Sequence, residues 1–259
     1  MLSPLELLAA GGAGLTGGLL AGFFGVGGNF ILIPLLGFAL GLGQREAQGL
    51  TLAALLPPLG LPAVWQYRRA GVPLLWKLVG AIIVGFVLAI PLGSWLATVL
   101  PARALRLGFG ALLVVVAVRA WRQRAGEAER PFLTELPPRW LPLGLVAGAS
   151  AGLASGLLGI GGAMVLIPIL TRGLGLPQKQ AQLTSLAMLL PPIALPGVIV
   201  YARAQGGLPW SAAVPVALGF VVGSFFGARL TRVVSAARLS RAFAVLLLGA
   251  AVALVVRAA

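Results

Sequence analysis

Apolar residues run along the chain in ten stretches separated by glycine turns, prolines and short basic clusters. They span about 4–24, 30–43, 47–67, 73–99 and 105–121, then 141–158, 163–176, 181–201, 209–232 and 240–257. None alternates polar and apolar as a half-buried strand does, so the pattern predicts helices throughout. Crossing a bilayer takes about 20 apolar residues at 1.5 Å rise. The second and seventh stretches have about 14 residues, with Pro34 or Pro168 inside, and are too short to cross comfortably. Each follows a glycine turn, made by Gly25, Gly27 and Gly28 in one case and by Gly159, Gly161 and Gly162 in the other. Both are predicted as half-helices, either broken spans or re-entrant hairpins.

The two turns belong to a duplication. A shift of 134 residues lays one half on the other without a gap, with 29 identities in the 57 positions of 14–70 against 148–204. GFFGVGGNFILIPLL faces GLLGIGGAMVLIPIL, and QREAQGLTLAALLPPLGLPAVWQYRRA faces QKQAQLTSLAMLLPPIALPGVIVYARA. The register persists through Gly85 and Phe86 with Gly219 and Phe220, and through Trp76 with Trp210. The expected organisation is repeat 1 over 1–121, a linker over 122–139 and repeat 2 over 140–259.

Composition identifies the solvent. Of 259 residues, 59% are hydrophobic and 9% charged, against about 45–50% and 25% in a soluble domain. One soluble core of this size could not hide that apolar surface, so the chain reads as an integral membrane protein. It has no Cys, His or Asp, and its only carboxylate side chains are Glu6, Glu46, Glu127, Glu129 and Glu135. Zinc, haem and iron–sulfur centres lack their ligands, and Ser-His-Asp or Cys-His catalysis lacks its residues. The GVGG and GIGG turns have no strand–helix–strand context, so they are not dinucleotide fingerprints, and no Walker A motif occurs. No metal, no cofactor and no enzymatic activity is expected. The net charge of +14 sits between apolar runs without interleaved aromatics, so no nucleic acid partner is expected either. The beginning of the chain has no basic n-region and carries Glu6, so a cleaved signal peptide is not expected.

The basic residues set the orientation. If each half crosses an odd number of times, 14 of the 19 fall on one face, including Arg68, Arg69, Lys77, Arg172 and Lys179, and 5 on the other, Arg45, Arg103, Arg106, Arg203 and Arg257. Merging each short stretch with its predecessor splits them 10 to 9. Cytoplasmic loops hold the excess of Lys and Arg, so the odd count is preferred. It puts both termini outside, the 122–139 linker in the cytoplasm and the halves upside down to one another. The expected fold is an all-α polytopic membrane protein of two inverted repeats, each of about five helical segments with short Gly/Pro-broken half-helices. Together they form one transport domain, because inverted repeats with matching helix breaks point to a secondary transporter.

The candidate site follows from backbone chemistry. A break in hydrocarbon is tolerated only where it lines a cavity or is packed in protein. The residues after each glycine turn begin a helix, whose free N–H groups and positive dipole end favour an anion. Close helix packing explains most other glycines, including Gly14, Gly18 and Gly22. Gln48 with Gln182 and Thr51 with Ser185 coincide under the repeat, with Thr184 and Asn29 nearby in sequence. Such amides and hydroxyls can bind an oxyanion without a buried charge, or can simply bond neighbouring helices. Pro57, Pro58 and Pro62, with Pro191, Pro192 and Pro196, require a kink or an unwound stretch. Tyr67, Arg69, Tyr201 and Arg203 close helix ends and read either as interfacial anchors or, for the arginines, as anion-attracting mouths. Glu46 reads as a helix-dipole partner rather than a proton relay.

The glycine turn followed by a Pro-containing apolar stretch, its second copy, and the Ala-Gln-x-x-Thr/Ser segments resemble the TauE/SafE family, also called the sulfite exporter or toluene sulfonate uptake permease family. The resemblance covers nearly the whole chain outside the linker. It implies alternating-access transport of sulfite, sulfoacetate or other organosulfonates across the bacterial inner membrane, through a multi-pass protein. A passive anion channel, or a permease for another small anion, is the alternative. The implied partners are a small inorganic or organosulfur anion and the lipid bilayer, and a homo-oligomer is compatible with this. Carried over by position, the substrate-binding candidates are Gly25, Gly27, Gly28, Asn29, Gln48, Thr51, Gly159, Gly161, Gly162, Gln182, Thr184 and Ser185, with Arg69 and Arg203 in a vestibule.

Overall fold

Helix boundaries in a computed structural model of the chain repeat at the spacing of the sequence. The structure describes residues 3–24, 29–58, 60–122, 131–136, 138–230, 242 and 244–252. The first half contains α1 (Pro4–Phe24), α2 (Asn29–Ala39), α3 (Gln44–Ala54), α4 (Leu61–Arg69), α5 (Trp76–Val99) and α6 (Ala102–Arg122). The second contains α7 (Trp140–Leu158), α8 (Ala163–Gly173), α9 (Gln178–Met188), α10 (Leu195–Ala204) and α11 (Trp210–Leu230), then α12 over 244–252. The bounds of α2 and α3 recur in α8 and α9, displaced by 134 residues at both ends. Every regular element among the described residues is a helix. Four are long and apolar enough to cross a membrane, over Pro4–Ala21, Trp76–Val99, Trp140–Leu158 and Trp210–Gly227. The chain is an all-helical polytopic membrane protein.

Length separates the half-helices from the spans. At 1.5 Å per residue the 11 residues of α2 or α8 cover about 16 Å, roughly half of a hydrocarbon core. The third apolar stretch of each half is two helices, because it unwinds at its prolines. Before Pro57 and Pro58, the amides of Leu55 and Leu56 turn to the carbonyls of Leu52 and Ala53, three residues back, at 3.2 Å each. Leu189 and Leu190 do the same toward Leu186 and Ala187 ahead of Pro191 and Pro192. The chain re-enters a helix at Leu61 and Leu195, with a proline in the first turn, where its missing N–H has no intrahelical partner to lose.

Two compact units draw on both halves of the sequence. One holds α1, α2, α3, α6, α11 and α12, and the other holds α4, α5 and α7 to α10. In the first unit α1 packs on α11. A methyl group at Gly14 would stand 2.2 Å from the Val216 carbonyl oxygen, and one at Gly18 would stand 2.1 Å from that of Phe220. From the other side, a methyl at Gly219 would be 2.2 Å from the Gly11 oxygen. In the second unit, α7 packs on α5 through the repeat-related positions. A methyl at Gly148 would be 2.1 Å from Ile82 O, at Gly152 2.4 Å from Phe86 O, and at Gly85 2.2 Å from Leu145 O. Residue numbers rise together along each contact, so both pairs run parallel. Small residues let the backbones touch, and each half lends its fourth-stretch helix, α5 or α11, to the other half's first helix.

Local hydrogen bonds fix the ends of these elements. Ser3 and Glu6 form a capping box at α1, with Ser3 N–H to Glu6 Oε2 at 2.6 Å and Glu6 N–H to Ser3 Oγ at 3.2 Å. The first unit also takes the chain from Ala97 onward, and there Arg45 spreads its guanidinium over the carbonyls of Ala97 and Leu100, where a cation meets a negative helix end. Gln180, fully buried in α9, accepts from Leu133 N–H at 3.0 Å. Its amide donates to Leu133 O at 2.7 Å and Pro73 O at 3.2 Å. The described part of the linker is therefore clasped at Leu133, while Pro131, Phe132, Thr134 and Glu135 remain exposed.

Candidate functional site

The turn between α7 and α8 is built for glycine. Gly159, Gly161 and Gly162 have φ of 71°, 71° and 76°, a left-handed region costly to residues with a Cβ. Gly159 ends α7 by donating its N–H to Ser155 O at 2.7 Å. The whole turn 159–162 is buried. No side chain caps α8 at Gly162, although the first N–H groups of a helix have no intrahelical acceptor. The Ser155 hydroxyl, buried one turn earlier, has no hydrogen-bond partner among the described residues. A buried helix N-terminus without a side-chain cap suits an anion.

Helix α9 divides its polar residues between two faces. At 100° per residue, Gln182 and Ser185 share one face, whereas Gln180 and Thr184 lie on the opposite side. Gln182 is half-buried and Ser185 is buried. Gln182 Oε1 accepts a hydrogen bond from the Tyr67 hydroxyl at 3.0 Å, which joins α9 to α4. Thr184 is fully buried and gives its hydroxyl proton to Gln180 O at 2.8 Å. It therefore sits on the Gln180 face, away from Gln182 and Ser185.

The first unit carries the repeat-related residues. Gly25, Gly27 and Gly28 lie outside the described residues, and Asn29 opens α2. Gln48 and Thr51 are fully buried in α3, and Thr51 donates its hydroxyl to Ala47 O at 2.7 Å. Glu46, expected as a helix-dipole partner, also takes the Gly43 N–H at 2.8 Å, which makes it a cap of α3.

Tyr67 and Tyr201 depart from the reading as interfacial anchors. Tyr201 is fully buried, out of reach of any headgroup, and its hydroxyl donates to Gly156 O at 2.8 Å, the kind of partner a buried phenol needs. Tyr67 is a site contact missed from the sequence. The available signal was that both tyrosines and both glutamines coincide under the repeat. Arg69 is exposed, with its guanidinium 3.7 Å over the ring of Trp65, and Arg203 is exposed at the end of α10. No group of three or more His, Cys, Asp or Glu able to hold a metal occurs among the described residues.

No curated protein and no solved structure matches the chain. The family described as Sulfite exporter TauE/SafE matches residues 7–254, which include both glycine turns, both half-helices and every candidate site residue. The chain belongs to the TauE/SafE family and is accordingly a membrane transporter.

Proposed function

We propose that the chain is a secondary transporter that moves small sulfur-containing anions, sulfite or organosulfonates such as sulfoacetate, across the bacterial inner membrane by alternating access. The observation that carries this reading is the uncapped N-terminus of α8, opening on a buried turn of three left-handed glycines. Its N–H groups and dipole would hold an oxyanion without a buried counter-charge, and the family's description supplies the sulfur chemistry. Gln182 and Ser185 complete this binding group, with Thr184 behind it. Asn29, Gln48, Thr51 and the Gly25–Gly28 turn make the repeat-related one. Arg69 and Arg203 draw anions toward the mouths. The two repeats, 1–121 and 140–259, are inverted, with both termini outside and the linker cytoplasmic.

A thermal-shift panel on the detergent-purified chain tests the substrate class, using sulfite, sulfate, thiosulfate, sulfoacetate, taurine, phosphate and acetate. A ligand at a hundredfold excess over its Kd adds about 2.7 kcal/mol to stability. Stabilisation by sulfite or a sulfonate, reduced but still measurable in Gln182→Ala, is the expected result, and a flat panel overturns the substrate assignment. Saturable counterflow in vesicles separates a carrier from a channel, which shows none. The cysteine-less chain also allows single cysteines at Ala70 and Ala204 to report sidedness, and labelling of both from one side overturns the inversion.

A further inference from the structure

A glutamine amide can offer a ligand its oxygen or its NH2 group, and a neighbour decides which. At Gln182 the neighbour is Tyr67, whose hydroxyl donates to Oε1 at 3.0 Å. A phenol spent on the oxygen leaves Nε2 as the free end. That nitrogen donates to no group among the described residues, although Gln182 is half-buried. Ser185, one turn along the same face, is 2% exposed. None of the elements around this face carries a carboxylate: α4 reads LPAVWQYRR, α8 AMVLIPILTRG and α9 QKQAQLTSLAM. They supply instead Arg68, Arg69, Arg172 and Lys179. These three helices thus bring positive charge to the region and no carboxylate to pair with an ammonium group.

From these observations we infer that Tyr67 is a positioning residue, which locks the Gln182 amide with its NH2 toward the substrate and makes the site select oxyanions that carry no ammonium group. The inference rests on the transporter reading above and narrows its substrate class to sulfite and non-amino sulfonates, against zwitterionic aminosulfonates such as taurine. The phenol acts only through the amide, so its contribution vanishes when the amide is absent.

A double-mutant cycle on the full-length chain in detergent tests this, with sulfite, sulfoacetate and taurine as probes. Tyr67→Phe, which removes one oxygen, is expected to raise the Kd for sulfite and sulfoacetate about tenfold, the equivalent of one charge-assisted hydrogen bond, and to narrow the preference over taurine. In a Gln182→Ala background the same change is expected to have no effect. An equal loss in both backgrounds, or none in either, overturns the role of Tyr67 while leaving the transporter reading intact. A wild-type chain that binds neither sulfite nor sulfoacetate overturns both. Gln182→Glu provides a variant that leaves Tyr67 untouched. Tyr67 would hold one carboxylate oxygen and the other would face the ligand as an acceptor, so sulfite binding should be lost at an unchanged ligand-free Tm. Retained sulfite affinity in that variant also overturns the inference.

Discussion

Gly148 on α7 meets Ile82 on α5 so closely that a methyl group added to the glycine would lie 2.1 Å from the Ile82 carbonyl oxygen. Backbone occupies that space, and no rotamer change can clear it. Gly148→Ala should therefore separate the two helices and destabilise the chain by about 1–3 kcal/mol or more, seen as a lower Tm in detergent. Gly80→Ala is the control. It sits in the same pair on α5 with nothing within 4 Å of the added methyl, and should be neutral or stabilise by up to about 1 kcal/mol through helix propensity.

The glycine turn makes a graded prediction. At Gly159, with φ of 71°, Asn tolerates the left-handed region better than other residues with a side chain. Gly159→Asn should lower Tm less than Gly159→Val. At Gly162 an added methyl would also lie 2.8 Å from the Phe86 ring and 3.1 Å from the Ala151 carbonyl. Gly162→Ala should cost about 1–2 kcal/mol in backbone strain and also remove the sulfite-induced thermal shift. A variant that keeps that shift at full size would separate the turn from the anion site.

Glu46 distinguishes capping from proton transfer. Its carboxylate holds the Gly43 N–H at 2.8 Å, a bond that a glutamine can replace and an alanine cannot. Glu46→Gln should keep vesicle transport and stability near wild type, and Glu46→Ala should lower stability by about 1 kcal/mol. Loss of transport in the glutamine variant at unchanged Tm would instead mark Glu46 as a proton carrier.

Gln180 clasps the linker with three hydrogen bonds to Leu133 and Pro73. Gln180→Ala should leave these groups without partners, at about 1–3 kcal/mol for each that stays dry. Limited proteolysis of the vesicle-embedded protein should then cut within 131–136 at a protease concentration that spares the wild type.

The half-helices were legible in the sequence because three independent signals coincided: a stretch too short to span, a glycine turn before it, and a second copy. The helix-end role of Glu46 was legible too, as a dipole partner in a first turn, although its bond to the Gly43 N–H was not. The separation of Thr184 from Gln182 was available in the two-residue spacing, which turns a side chain about 200° around a helix. Tyr67 and Gln182 were another matter, since they stand 115 positions apart and no periodicity links a phenol at one helix end to an amide in another helix. The exchange of α5 and α11 was equally hidden. Gly14 and Gly148 lie in equivalent glycine stripes, and a stripe says that some helix approaches closely without saying which one.

That exchange sets an order of assembly. Helix α1 leaves the ribosome long before its partner α11, which begins only at Trp210. At about 5–20 residues per second, α1 waits on the order of ten seconds or longer with its glycine face unmatched. The α5–α7 pair forms earlier, when α7 reaches an α5 already in the membrane. The nascent protein thus joins α7 to α5 before it can join α1 to α11.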